Sequence, residues 1–417
     1  MTQQYPNIEF LTTREKLVAG REQTIEVLIR ITPPDLSQDA QRSPLNLSLV
    51  LDRSGSMAGE KIVRACEAAQ FCVDQMLPSD RLSVVIFDER IDVLFPSEPV
   101  TNKQSMKDLI ARIDARGSTA LHEAWVRGGL TISDYVLKTG INRVLLITDG
   151  QANVGITSPD EIVSQSLELF KRGISTSTIG IGDDFNEDLL LPMAQSGGGN
   201  AWHVVEPQDM QRIFQIELDG LVNQFAHTVS LSLIPADGVR ISDVLNDFEL
   251  TETGRYRLPN LLAGSSLDVV VQLKLGAHPV GSSLRLMDLR MGFTPQSANA
   301  AEVAKSAYTV EFAEENVVDE LAINQEVVQA VQFLMNARAR REAMERIDHG
   351  DYAGAQAVLG QSIAATQVAC APFASSQFVI AECESLEEVA MSLQQRVHDK
   401  LSRKKLAYGA YSRRTGK

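Results

Sequence analysis

Between residues 45 and 226, short apolar runs alternate with amphipathic stretches. Residues 45–51 (LNLSLVL), 82–87 (LSVVIF), 144–148 (VLLIT) and 175–181 (STSTIGI) read as buried strands. The spacing predicts helices near 61–77, 103–114, 120–137, 158–171 and 186–195. A last helix over 209–225 carries Met210, Ile213, Phe214, Ile216, Leu218 and Leu221. Ser158, Pro159 and Glu161 supply an N-cap, a proline at the first helical position and a capping-box glutamate. Strands alternating with helices imply right-handed crossovers and a mostly parallel sheet covered on both faces, a Rossmann-like doubly wound α/β fold.

Strict alternation of apolar and polar residues flanks this block on both sides. Ile25, Val27, Ile29 and Ile31 precede it, with Leu28 as the exception. Val229, Leu231 and Leu233, then Val269, Val271, Leu273 and Leu275, then Tyr308, Val310 and Phe312 follow it. Between Leu286 and Leu289 the apolar parity changes, which predicts a β-bulge. Half-buried strands of this kind belong to an antiparallel sandwich. Too few precede residue 45 to stand alone. The expected organisation is therefore residues 1–44 and 227–312 as one β-sandwich, the α/β domain at 45–226 inserted into it, and a helical region at 313–417. In that last region Val317, Leu321, Val328, Val331 and Met335 recur at helical spacing and Gly350 closes the segment. A second helix is expected over 352–368. A third is expected to start at Ser385, capped with Glu388.

Charge and cysteine content narrow the class. The 417 residues carry 54 acidic and 39 basic side chains, a net charge of −15 that argues against sequence-independent binding to nucleic acid or anionic membranes. Lys400, Arg403, Lys404, Lys405, Arg413, Arg414 and Lys417 gather at the C-terminus, where a solvated helix end and a frayed tail are expected. The first residues show neither a basic nor an apolar signal region, and no apolar run approaches the ~18 residues a membrane helix needs. Cys66, Cys72, Cys370 and Cys383 form no C-x-x-C pair, so four reduced thiols in a cytoplasmic protein are expected.

The chemistry lies where strands run out into loops. Asp52-Arg53-Ser54-Gly55-Ser56 ends the first α/β strand, Gly117-Ser118-Thr119 stands at a loop-to-helix junction, and VLLIT ends in Asp149-Gly150. That edge of an open α/β sheet is where ligands bind. Two carboxylates and three hydroxyls suit a hard divalent cation such as Mg²⁺, and the absence of cysteine and histidine from the motif disfavours zinc.

Asp52, Ser54, Ser56, Thr119 and Asp149 resemble the complete metal-ion-dependent adhesion site of the von Willebrand factor type A domain, over roughly residues 45–226. The resemblance implies that Ser54, Ser56 and Thr119 bind the metal through their hydroxyls and that Asp52 and Asp149 act mostly through water. It further implies that an acidic side chain of a partner protein completes the coordination of Mg²⁺, with Mn²⁺ or Ca²⁺ as alternatives. DRSGSM, ITDGQANVG and GIGDDFNEDLL are similar to bacterial members of the family and to inter-α-trypsin-inhibitor-like proteins. Bacterial members often work with AAA+ ATPases, which makes such an ATPase a candidate partner.

Other signals fail on spacing. Gly55 to Lys61 lacks the Lys-Ser/Thr ending of a phosphate loop, and Asp184-x-Asn186-x-Asp188 lacks the glycine and glutamate of a calcium loop, so Asp183 and Asp184 are expected to cap a helix. His122, one turn after Thr119, is expected at the surface. No nucleophile–base–orienter set can be assembled, so a non-enzymatic binding module is expected. A metal-assisted hydrolase and a scaffold with a structural metal remain as alternatives.

Overall fold

A computed structural model describes residues 5–35, 42–298, 300–394 and 400–416. The chain divides into two compact units, one drawn from 1–38, 224–398 and 405–417, the other from 39–223 and 399–404.

The second unit is the α/β domain. Its sheet runs, in spatial order, Ile91–Pro99, Arg81–Phe87, Leu45–Asp52, Ile141–Thr148, Ser175–Ile181 and Gly198–Val204. All neighbours are parallel except the edge strand Ile91–Pro99, which forms a hairpin with Arg81–Phe87. The edge strands 91–99 and 198–204 go beyond the sequence expectation; they are only partly buried, so their apolar signal is weak.

Leu45–Asp52 is buried along its whole length because helices cover both faces. Leu45, Leu47, Leu49 and Leu51 share a core with Ala65, Ala69 and Cys72 of helix Glu60–Gln75 and with Phe214 and Leu218 of helix Met210–Val222. Residues of the other parity face helix Leu121–Ser133: the Asn46 amide donates to the carbonyls of Ile132 and Tyr135 at 3.1 and 3.0 Å. Close approach fixes that helix, since a Cβ on Gly128 would lie 2.4 Å from Val50 Cγ2. Ser158 does start the helix Pro159–Lys171, but its side chain makes no capping hydrogen bond.

The first unit holds the β-sandwich whose sequence the α/β domain interrupts; the sandwich is antiparallel as expected except that Lys16–Val18 pairs in parallel with Glu302–Ala313. One sheet orders Asn7–Thr12, Gln23–Thr32, Leu267–Leu275 and Val239–Val244. The other orders Tyr256–Arg257, Gln224–Pro235, Ser283–Pro295, Glu302–Ala313 and Lys16–Val18. Val27, Ile29, Val269, Leu231, Leu289 and Phe312 meet between them. The register of Ser283–Pro295 against its neighbour slips between Arg285 and Met287, so Leu286 and Met287 are both fully buried. Leu28 breaks the alternation because it packs outward with Val270, Leu245, Val327 and Leu334, the last two on helix Gln325–Asp348.

Further helices span Glu315–Glu320, Tyr352–Ala369, Gln377–Gln394 and Lys400–Thr415. Two sequence expectations need correction here. Ser385 caps nothing: it sits inside Gln377–Gln394, where its hydroxyl accepts from Arg340 Nη2 at 3.2 Å. The basic C-terminal residues are not a solvated end. Lys404 is 2% exposed and donates to Glu187 Oε2 at 2.5 Å, and Arg413 pairs with the buried Glu382 at 2.7 Å. Lys417 lies outside the described residues. Among the described residues, no helix is long and apolar enough to cross a membrane.

Candidate metal centre

Strand order places the candidate residues. Leu45–Asp52 lies between Arg81–Phe87, which follows it in sequence, and Ile141–Thr148, so the direction of winding reverses beside it. At such a switch point the loops leaving the carboxyl ends of two neighbouring strands diverge and open a crevice. Asp52 ends one of these strands, and Asp149 immediately follows the other.

Four loops are laced together there by hydrogen bonds that backbone amides donate. Gly55 N donates to Gly117 O at 3.0 Å, and Arg116 N donates to Arg53 O at 2.6 Å. Ala120 N donates to Asp88 O at 2.9 Å, and Thr119 N donates to Asn153 Oδ1 at 3.1 Å. Gly117 adopts φ +73°, and a Cβ there would fall 1.9 Å from Glu89 Oε2, which accepts from Ser118 N at 3.0 Å. Glycine is needed both for the left-handed backbone and for the room.

This lacing brings the five candidate residues together. Asp52 Oδ1 accepts from Ser54 N at 2.7 Å. The hydroxyls of Ser54 and Ser56 are 3.1 Å apart, and that of Ser56 donates to Asp149 Oδ1 at 2.7 Å. Thr119 closes the group across Gly150: a Cβ on Gly150 would stand 3.2 Å from Thr119 Oγ1 and 3.7 Å from Asp52 Oδ2. Asp52 and Asp149 are fully buried, Ser54 and Thr119 nearly so, and Ser56 is exposed at the rim.

The two carboxylates differ in their partners. Asp149 Oδ2 takes a hydrogen bond from Lys61 Nζ at 2.5 Å. Among the described residues Asp52 has uncharged donors only, Ser54 through its backbone N and its hydroxyl, and the Thr148 hydroxyl at 2.5 Å. Burial therefore pushes the Asp52 carboxyl up to about 6, against the pull of those hydrogen bonds and with a contribution from the negative Asp149. The donors are all oxygen, two carboxylates and three hydroxyls around a cradle kept free of side chain by Gly150, which fits a small hard cation.

Several supporting residues lie beyond the sequence motif. Thr148 bridges Gly150 N (3.0 Å) and Asp52. Lys61 stands six residues past the tight turn that begins at Gly55, within the stretch that resembles a phosphate loop only briefly. Arg53, in the variable place of Asp-x-Ser, turns away to Asp88 and Asp92 at 2.9 and 2.5 Å. Two expectations are corrected. His122 is buried, not at the surface: its Nε2 meets Gln165 Oε1 at 2.8 Å, while Nδ1 has no hydrogen-bond partner among the described residues. Asp183 and Asp184 do not cap the following helix, whose N-cap is Asn186; Asp184 pairs with Lys400 at 2.7 Å.

The family model of the von Willebrand factor type A domain matches residues 46–217. That segment is a von Willebrand factor type A domain, a family of protein-interaction modules that are typically not catalytic. The uncharacterized protein sll0103 of Synechocystis sp. is 29% identical over 210 residues, covering 50% of this chain and 49% of its own. The chain thus spans about half the length of that relative. Among solved structures, a von Willebrand factor type A protein from Catenulispora acidiphila superposes with TM-score 0.66 at 18% identity, over 94% of this chain and 90% of that one. The ArnB paralog VWA2 from Sulfolobus acidocaldarius gives 0.59 at 16% identity over 99% and 98%. At such identities the likeness is one of fold.

Proposed function

We propose that the α/β unit is a divalent-cation-dependent protein-binding module. Asp52, Ser54, Ser56, Thr119 and Asp149 hold Mg²⁺, and an acidic side chain of a partner protein completes its coordination. The observation that carries this reading is the convergence of these five oxygen-bearing side chains at the sheet's switch point, with Asp52 buried and opposite no basic group among its described partners. A buried carboxylate left without a cation is costly, and a bound metal relieves that cost. When bound, the metal supplies a Lewis-acidic position for a carboxylate. Around it, Thr148 orients Asp52, Ser56 orients Asp149, and the lacing of Gly55 to Gly117 sets the distance between the loops.

The serines act as ligands in this reading. Their hydroxyls face each other, that of Ser56 donates to Asp149, and the nearest histidine in sequence, His122, is occupied with Gln165. That favours binding over hydrolysis. Mn²⁺ or Ca²⁺ could replace Mg²⁺. An AAA+ ATPase presenting a surface carboxylate would be one partner of the required kind. The four cysteines are buried and free, which fits a reducing, cytoplasmic setting. Affinity capture on the full chain with Mg²⁺ and with EDTA, repeated with Asp52→Ala, tests the proposal. Proteins retained only by the wild type with Mg²⁺ support it, whereas the same proteins retained under all conditions sink it.

A further inference from the structure

One cation is already built into the candidate site. Lys61 lies in the first turn of helix Glu60–Gln75, just after Gly59, whose φ of +82° turns the chain into that helix. Its ammonium stands 2.5 Å from Asp149 Oδ2 and 3.4 Å from the Ser56 carbonyl oxygen. Asp149 is fully buried while the lysine side chain is 27% exposed, so this ammonium covers one oxygen of Asp149 and the Ser56 hydroxyl covers the other. The neighbouring cation, Arg53, shares Asp88 and Asp92 with Arg116, two cations against two carboxylates, and Asp184, which also feels Lys61, is paired with Lys400, so neither group alters the local balance.

We propose that Lys61 sets the charge of the metal site, weakening the hold on the bare cation so that an anionic ligand is required to complete it. The inference rests on the metal-binding reading above. Asp52, Asp149 and Lys61 together carry one net negative charge. A divalent cation turns this into one net positive charge, and a single carboxylate from outside restores neutrality. Without Lys61, the two aspartates alone neutralise the cation, and an incoming carboxylate meets a neutral site. Metal favours anion, and by thermodynamic reciprocity anion favours metal to the same degree; the lysine weakens the hold on metal and strengthens the hold on anion, so it shifts the balance from a cation held alone to a cation held with its ligand. A binding module built this way holds its cation loosely until an acidic surface arrives.

The test is a Mn²⁺ titration of the full chain by calorimetry or electron paramagnetic resonance, with and without acetate as the carboxylate probe. Wild type, Lys61→Met, Lys61→Gln and Lys61→Arg are compared, with circular dichroism confirming the fold of each. Removing a cation a few ångströms from the metal should tighten Mn²⁺ binding about tenfold in both Lys61→Met and Lys61→Gln. In those two variants the acetate concentration needed to raise Mn²⁺ affinity should be about tenfold higher than in the wild type and Lys61→Arg. Folded Lys61→Met and Lys61→Gln with wild-type Mn²⁺ affinity, or responding to acetate at wild-type concentrations, would overturn the role of Lys61 and leave the metal reading intact. If neither the wild type nor these variants bind Mn²⁺, the metal reading itself falls, and this inference with it.

Discussion

Strand Ile141–Thr148 begins beside one buried carboxylate and ends beside two others, and the two ends treat them differently. Near its start, Arg143 is 2.9 Å from Glu217, and Ser177, Asn200 and Trp202 donate to the same carboxylate. Burial alone would raise the Glu217 carboxyl, but the Arg143 charge and those donors outweigh it and hold the group below its ordinary range. Past its end, Asp52 has no basic partner among its described contacts and sits up at about 6, while Asp149 has Lys61. One end of the sheet is electrically complete within the chain. The other carries an excess of negative charge at a place where loops diverge. A fold can bury carboxylates safely, so leaving one uncompensated marks where something from outside is expected to bind.

The strongest way to break the complete end is to remove its cation. Arg143→Ala leaves Glu217 buried and unpaired, and a buried pair broken on one side typically costs about 3–5 kcal/mol. Urea unfolding should show a loss of that size, whereas Asp52→Ala measured in EDTA should lose little or gain. A large loss in Asp52→Ala without metal would mean that both ends are structural and would erase the contrast.

The open end should respond to metal instead. At about a hundred times its Kd, Mg²⁺ should stabilise the wild type by about 2.7 kcal/mol, through binding to the folded state alone. Thermal melts should show that gain disappear with EDTA and fail to appear in Asp52→Ala. A smaller effect is expected for Thr148→Val, which removes the hydroxyl that donates to Asp52 Oδ2 and accepts from Gly150 N. Loss of such a supporting group weakens metal binding about 10- to 100-fold, which Mn²⁺ titration would read directly.

How visible these features are in the sequence follows from how local they are. The buried strands 45–52 and 175–181 and the motif Asp52-x-Ser54-x-Ser56 are legible because each is contiguous and its pattern is set by its own neighbours. The edge strand Ile91–Pro99 is not, since one face meets solvent and its apolar pattern is broken. Leu28 reads as an exception until helix Gln325–Asp348, some three hundred residues later, is seen to cover it. Lys61 and Thr148 are adjacent to the motif, yet nothing in residue type distinguishes an ammonium on Asp149 from one in solvent. Lys404 misleads for the same reason, because its partner Glu187 lies more than two hundred residues away in sequence. Ser385 and Glu388 satisfy the capping-box spacing, but Gln377–Gln394 passes straight through them because Ser385 faces Arg340.

The mildest test uses pH on the complete end, in EDTA so that metal plays no part. Glu217 has a folded-state pKa below its ordinary 4.5, so the folded protein binds that proton more weakly than the unfolded chain does. Its contribution to stability is then present in full above about 4.5 and is lost as pH falls through the lower, folded-state value. Glu217→Gln keeps the shape and much of the hydrogen bonding but has no proton to bind. Chemical denaturation of both proteins across mildly acid pH should therefore show the wild type losing stability relative to the variant as pH drops below 4.5, with the gap between them constant at higher pH. A gap that stays constant throughout the acid range would show that the ionised carboxylate contributes nothing through Arg143, and that the pair is held by packing and hydrogen bonds alone.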